Sequence, residues 1–246
     1  MDTYGLIGYP LGHSFSRNFF NQKFVDEGID AVYENFEIPS IEMFLEVLEA
    51  TATLRGLNVT IPYKEKVISY LDVLSPEART IGAVNVIKVE HKDKQRVLKG
   101  YNTDVIGFMR SIEPMIEPHH KKALVLGTGG ASKAVCYGLR QLNIEPVLVS
   151  RYQRPGTIQY KDITQEVVKE YNVIVNSTPC GMYPKVDDCP DLPYEALTSE
   201  NLLYDLVYNP DQTTFMKRGA AQGAAVKNGL EMLLIQAQTG WDIWNE

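Results

Sequence analysis

The stretch from Lys121 to Ser150, KKALVLGTGGASKAVCYGLRQLNIEPVLVS, constrains the fold more than any other part of the chain. KALVLG is a continuous apolar run, GTGGAS a glycine turn, KAVCYGLRQLN carries helical spacing, and EPVLVSR is a second apolar run. Uninterrupted apolar strands suit a sheet buried on both faces, and strand, glycine turn, helix and strand make a βαβ unit. NVIVNSTP and NLLYDLVYNP add two more apolar strands, so the second half reads as a mainly parallel sheet with helices on both sides. One piece fits poorly. Only a few residues separate VLVS from TIQY, whereas a parallel crossover normally takes about a dozen, so either a helix has been lost or TIQY is a loop.

The first half alternates as well. TYGLIGY reads as a buried strand, and the stretch Gly8 to Gly12 turns into a helical pattern with Phe19, Phe20 and Phe24 on one face. AVYENFEI is a second strand, SIEMFLEVLEAT a capped amphipathic helix starting at Ser40, and GLNVTI a third strand. KEKVISYLDVLS is helix-like, and GAVNVIKVEHKDKQRVLKGYNTD reads as two strands joined by HKDKQ. The closing NGLEMLLIQAQTGWDIW is a helix rich in large apolar residues. With 246 residues, two α/β domains are expected, the first ending near Asp104.

The formal net charge of -7 argues against a nonspecific nucleic-acid surface, so an anionic ligand must meet local cations. Cys136, Cys180 and Cys189 are odd in number and lack CxxC spacing, which points to a reducing compartment and away from zinc. The N-terminus lacks a leader pattern and no run of about 18 apolar residues occurs, so a cytoplasmic, non-membrane protein is expected.

Gly127, Gly129 and Gly130 lie where a pyrophosphate can approach backbone N–H groups at a helix start; a plain tight turn is the competing reading. The third small position of the general fingerprint falls on Ser132. Ser150-Arg151 ends the next strand without the acidic residue that reads an unphosphorylated ribose, and Arg151 with Arg154 suits a 2′-phosphate, favouring NADP. An exposed arginine pair on a loop is the alternative.

Ser14 and Ser16, two apart, would face one way in an extended segment beside a helix start suited to a carboxylate; helix capping competes. Asn58 and Thr60 share one strand face, and Lys64 follows a Pro-Tyr turn, with Lys66 the solvated alternative. Lys64 and Asp104 would hold a substrate hydroxyl and exchange its proton only if they lie close. Asn85 and Asn102 read equally well as turn formers, Asn102 the more so.

Eight of these motifs, GYPLGHSFS, NVTIPYK, GAVNV, GYNTD, GTGGAS, NSTPCGM, YDLVYNP and NGLEMLLIQA, stand in the order in which they occur in the shikimate dehydrogenase family, which the chain resembles over nearly its whole length. The resemblance implies interconversion of 3-dehydroshikimate and shikimate, a step of the shikimate pathway to aromatic amino acids, with a nicotinamide cofactor that is usually NADP. It implies a substrate domain of residues 1–103 completed by 229–246, and a Rossmann-type cofactor domain of 104–228. Ser14 and Ser16 would bind the carboxylate with Tyr208 nearby, while Asn58, Thr60, Asn85 and Gln236 would hold ring hydroxyls. Lys64 and Asp104 would be the catalytic pair, with Lys64 the proton donor in reduction. The dinucleotide would meet Gly127, Gly129, Gly130, Ala131, Ser132, Ser150, Arg151, Arg154, Thr178 and Gly229, and no metal is implied. Members that use NADP typically carry Asn-Arg-Thr and a further arginine, where this chain has Ser150-Arg151-Tyr152-Gln153-Arg154 and a deleted helix. A quinate/shikimate dehydrogenase using NAD and a nucleotide sensor without turnover remain as other readings. Monomer and homodimer are both compatible.

Overall fold

The alternating runs become two six-stranded sheets in the computed structural model, which describes residues 1–12, 15–92 and 95–246. Each sheet belongs to its own unit, one made of residues 1–103 with 237–246 and the other of residues 104–236.

The first unit contains β1 (Asp2–Gly8), α1 (Phe15–Asp26), β2 (Ala31–Glu37), α2 (Phe44–Ala50), β3 (Leu54–Val59), β4 (Val73–Leu74), α3 (Pro76–Ile81), β5 (Val86–Lys92) and β6 (Gln95–Tyr101). Strand order is β2-β1-β3-β5-β6-β4, with β1 parallel to β2 and β3, and β5 antiparallel to β3 and β6. Two apolar layers cover it. One gathers Ile7, Phe44, Leu57 and Tyr63, and the other Tyr4, Phe20, Tyr33 and Trp244. Burying each such side chain contributes about 1.5–3 kcal/mol, and Trp244 also donates from Nε1 to the Ile87 carbonyl at 3.0 Å.

Three local expectations need correction. Ser40 caps nothing with its side chain, and the following segment enters through a 3-10 turn, Ile41–Met43, before α2 begins. Lys66–Tyr70 is also only a 3-10 turn. The edge of β6 competes for that chain: the Asp72 N–H donates to the Leu98 carbonyl at 3.0 Å and the Asp72 carboxylate accepts from the Leu98 N–H at 2.7 Å. Helix α3 was not anticipated, although Ser75 at its N-cap, Pro76 in its first turn and the left-handed Gly82 at its end are ordinary boundary signals.

The second unit contains α4 (Asp104–Ile112), β7 (Lys122–Leu126), α5 (Gly130–Gln141), β8 (Glu145–Ser150), β9 (Thr157–Gln159), α6 (Gln165–Glu170), β10 (Val173–Asn176), β11 (Leu202–Asp205), α7 (Thr214–Ala221) and β12 (Ala225–Lys227). Helix α8 (Leu230–Asn245) contributes its residues up to Gln236 here and the rest to the first unit. The sheet is parallel throughout in the order β12-β11-β10-β7-β8-β9, with an apolar layer on each face. TIQ is therefore a strand, and no helix joins β8 to β9. The short link suffices because β9 pairs only with Leu148, Val149 and Ser150, so the chain retreats by about two residues, roughly 7 Å, before pairing.

Candidate functional site

Within the first unit the polar candidates collect where β3 ends and β5 begins. Asn58, 5 % exposed, accepts at Oδ1 from the Tyr33 hydroxyl at 2.6 Å and donates from Nδ2 to the Asn85 carbonyl at 3.4 Å. That carbonyl also receives the Val59 N–H at 2.9 Å. The Asn85 amide is engaged by Thr103 in both senses, donating to its hydroxyl at 2.9 Å and accepting its backbone N–H at 2.7 Å. Asn102 donates to the Ala83 carbonyl at 2.9 Å, a tie to a segment 19 residues back in the chain and not a local turn bond.

Lys64 sits on a turn pinned from both sides. The buried Tyr63 donates its hydroxyl to the Ile38 carbonyl at 2.5 Å, and the Lys64 carbonyl accepts from the Val84 N–H at 2.7 Å. Lys64 is half-buried whereas Lys66 is exposed, which separates the two lysines. Thr60, also half-buried, is tied to β1 through its N–H and the Ile7 carbonyl at 2.9 Å. Ser14 lies outside the described residues. Ser16 is the second residue of α1, so the extended geometry expected of it is corrected: its hydroxyl hydrogen-bonds the Tyr33 hydroxyl from a helical turn.

Asp104, Tyr208 and Gln236 belong to the second unit. Asp104 is the buried first residue of α4, directly after Thr103 in the chain. Tyr208 is half-buried, and burial raises its phenol. Gln236 is buried on α8 and donates from Nε2 to the Leu233 carbonyl at 3.0 Å.

The glycine turn stands between β7 and α5. Gly127 has φ 112, a left-handed conformation that favours glycine, and a Cβ there would lie 3.0 Å from Ser177 Oγ and 3.1 Å from Thr178 Cγ2. At Gly129, the N-cap of the twelve-residue α5, a Cβ would meet only open space, so an anion can approach the helix N–H groups there, beside Gly130 and Ala131. Ser132 is fully buried with its hydroxyl 2.8 Å from that of Ser177. Ser177 spends its hydrogen on the Leu126 carbonyl at 2.6 Å, so Ser132 is the donor to Ser177. The side chain of Ser132 thus locks the turn to the end of β10 rather than pointing outward.

Ser150 is likewise buried and accepts the Tyr152 N–H at 3.2 Å, while Arg151 and Arg154 are exposed. Arg154 Nη1 donates to Thr128 Oγ1 at 3.3 Å, holding one guanidinium at the glycine turn; the Arg151 guanidinium lies 5.9 Å from the Tyr152 ring centre. Thr178 gives both its N–H and its hydroxyl to Asn176 Oδ1, at 3.1 and 2.6 Å. Asn176 in turn donates to Asp205 at 2.9 Å, and Asp205 also accepts from the Val207 N–H at 3.0 Å and the Thr213 hydroxyl at 2.6 Å. Burial outweighs these bonds and pushes the Asp205 carboxyl up to about 6. Gly229 packs so tightly on the Leu206 backbone that a Cβ would collide with the carbonyl.

Tyr33, Thr103 and Ser177 were not among the residues expected at the site, yet they orient Asn58, Asn85 and Ser132. Their partners lie 18 to 45 residues away in sequence, beyond any periodic signal.

Residues 6–87 match the shikimate dehydrogenase substrate binding domain. The chain is 41% identical over 263 residues to the NADP(+) shikimate dehydrogenase of Halothermothrix orenii, spanning 98% of this chain and 89% of that protein. It is 40% identical over 260 residues to that of Clostridium beijerinckii, spanning 100% of this chain and 93% of the relative. Among solved structures, shikimate 5-dehydrogenase from Thermus thermophilus in complex with NADP(H) and shikimate superimposes with TM-score 0.85 at 31% identity, over 99% of this chain and 93% of that one. Two full-length relatives above 40% or at it, a matching substrate-domain model and a shared fold agree with the pinned lysine turn and the glycine turn, and the chain belongs to the shikimate dehydrogenase family.

Proposed function

We propose that this protein reduces 3-dehydroshikimate to shikimate with NADPH, reversibly, with residues 1–103 completed by 229–246 reading the ring acid and residues 104–228 reading the dinucleotide. The observation that carries the reading is the half-buried Lys64 on its pinned turn, one short loop after the oriented amide of Asn58 and bonded through its carbonyl to Val84, the residue before the oriented Asn85. The dinucleotide fits what the second unit offers: a left-handed glycine at the strand end, open space outside Gly129, and two exposed arginines, one tied to the turn. The absence of a carboxylate after β8 and the presence of those arginines support NADP over NAD.

NADPH, when bound, supplies the hydride. The residues of the chain do the rest. Asn58, Thr60, Asn85 and Gln236 hold the ring hydroxyls, and Ser14 and Ser16 hold the carboxylate, with Tyr208 near it. Lys64 Nζ gives a proton to the oxygen as the carbonyl becomes a hydroxyl, and takes it back in the oxidation; the Asp104 carboxylate holds the same hydroxyl. Orienting the reactants is worth about 7–11 kcal/mol in well-aligned systems, and a polar site that reads each hydroxyl discriminates strongly against a ring lacking one. The protein would work in the cytoplasm as a monomer or homodimer; among the described residues no helix is long and apolar enough to cross a membrane.

The test is nicotinamide absorbance with purified protein and shikimate, run with NADP and NAD in parallel and repeated with quinate. Fast NADP reduction with shikimate alone is expected. Preference for NAD, or equal turnover of quinate, overturns the assigned specificity, and no turnover with any pair overturns the enzyme reading.

A further inference from the structure

Tyr33 is fully buried on β2, away from any role in the reaction described above, yet its hydroxyl ends beside two groups of the substrate set. Its ring stacks on Phe20 of α1 at 4.9 Å and 14°, and its backbone is bonded in both directions to the Asn21 side chain, each at 2.9 Å. Ring and main chain are thus fixed independently of the hydroxyl. That hydroxyl donates to Asn58 Oδ1 at 2.6 Å and is hydrogen-bonded by Ser16.

The directions of these bonds follow from what each partner can do. The far end of the Asn58 amide faces the Asn85 carbonyl at 3.4 Å, and a carbonyl only accepts, so that end is the NH₂ group. Oδ1 therefore faces Tyr33, which has a single hydrogen and must spend it there. Ser16 is then left to donate to the phenol oxygen; when the ring acid binds, that hydrogen turns to its carboxylate, and the bond from Tyr33 to Asn58 is kept. Burial raises the Tyr33 phenol well above its ordinary value, which keeps that hydrogen in place across the working pH range.

We propose that Tyr33 is a positioning residue for this reaction, holding the Asn58 amide with its oxygen committed inward so that Nδ2 is presented to a hydroxyl oxygen of the polyhydroxylated ring acid. Among the described residues Nδ2 makes one hydrogen bond, to Asn85, and an amide nitrogen carries two hydrogens. Without Tyr33 the amide loses the partner that commits its oxygen, and rotation would present an acceptor where the substrate needs a donor. The assignment rests on the reaction proposed above.

The test is Tyr33→Phe, which keeps the ring stack and removes only the hydroxyl. The KM for shikimate is expected to rise about tenfold, equivalent to about 1.4 kcal/mol, while the KM for NADP stays within about twofold. In an Asn58→Ala background the same substitution is expected to change the shikimate KM by less than about twofold, because the group it acts through is gone. A purely structural tyrosine would lower the melting temperature and the active fraction while leaving the shikimate KM alone, and that result overturns the assignment. So does a full tenfold effect persisting in the Asn58→Ala background. Absence of turnover in the unsubstituted protein overturns the proposed reaction and this role with it, whereas normal turnover with an unchanged KM in Tyr33→Phe overturns only the role of Tyr33.

Discussion

Replacing Asp205 with asparagine tests whether burial or hydrogen bonding controls the junction after β11. The carboxyl is 0 % exposed and accepts from Asn176, Val207 and Thr213, yet burial pushes it from an ordinary 3.8 up to about 6. The folded state therefore binds the proton more tightly than the unfolded state. Stability from this group is fully present below about pH 4 and is lost as pH rises through about 6. At full ionisation the loss is about 3 kcal/mol, and linkage between about pH 4.5 and 7.5 exposes about 2 kcal/mol of it. Asparagine has the same shape. Its carbonyl can keep the Asn176 and Val207 donors, and the Thr213 hydroxyl, which already accepts the Met216 N–H at 3.3 Å, can turn to accept from the new NH₂. Any fixed cost of the swap is the same at both pH values and cancels in the comparison. With about 2–4 °C per kcal/mol for a chain of this size, the Tm of Asp205→Asn minus that of the unsubstituted protein should grow by about 4–8 °C from pH 4.5 to 7.5. Thermal melts followed by circular dichroism at the two pH values measure it. A difference that stays constant, or shrinks as pH rises, would show that the three donors hold the carboxylate ionised and would refute the reasoning.

Three further outcomes follow from the geometry. Lys64→Ala should lower kcat by about 10²-fold or more with a much smaller change in the shikimate KM, as loss of a positioned proton donor does; initial rates by nicotinamide absorbance decide it, and a near-normal kcat removes Lys64 from the chemistry. Arg151→Ala and Arg154→Ala should each raise the KM for NADP by about tenfold or more without a comparable rise for NAD, since a charge-assisted bond to a phosphate is worth about 1.5–3 kcal/mol; parallel loss with both cofactors would argue for a structural loop instead. Gly229→Ala should cost about 1–3 kcal/mol in denaturant unfolding because its new methyl meets the Leu206 backbone, and an unchanged unfolding midpoint would contradict that close approach.

What the sequence determined alone was what local pattern encodes. The apolar runs of β7, β8, β10 and β11 and the glycine turn at Gly127 to Gly130 needed only composition and period, because a strand buried on both faces and a turn that needs a left-handed residue each leave a local mark. Family motifs favour Lys64 over Lys66, and the tertiary structure adds a difference in burial: on the turn anchored by the buried Tyr63, Lys64 is half-buried while Lys66 is exposed. The helix expected over KEKVISYLDVLS failed because the edge of β6 lies far off in the chain and outcompetes a weak local preference. The spacing of Ser14 and Ser16, two apart, suits an extended segment, whereas α1 has already begun at Phe15. Tyr33 carried no mark of its importance at all. An alternating strand labels which residues are buried, but the atom that a buried hydroxyl meets depends on how β2, α1 and β3 are stacked, and that is decided only when elements distant in sequence pack together.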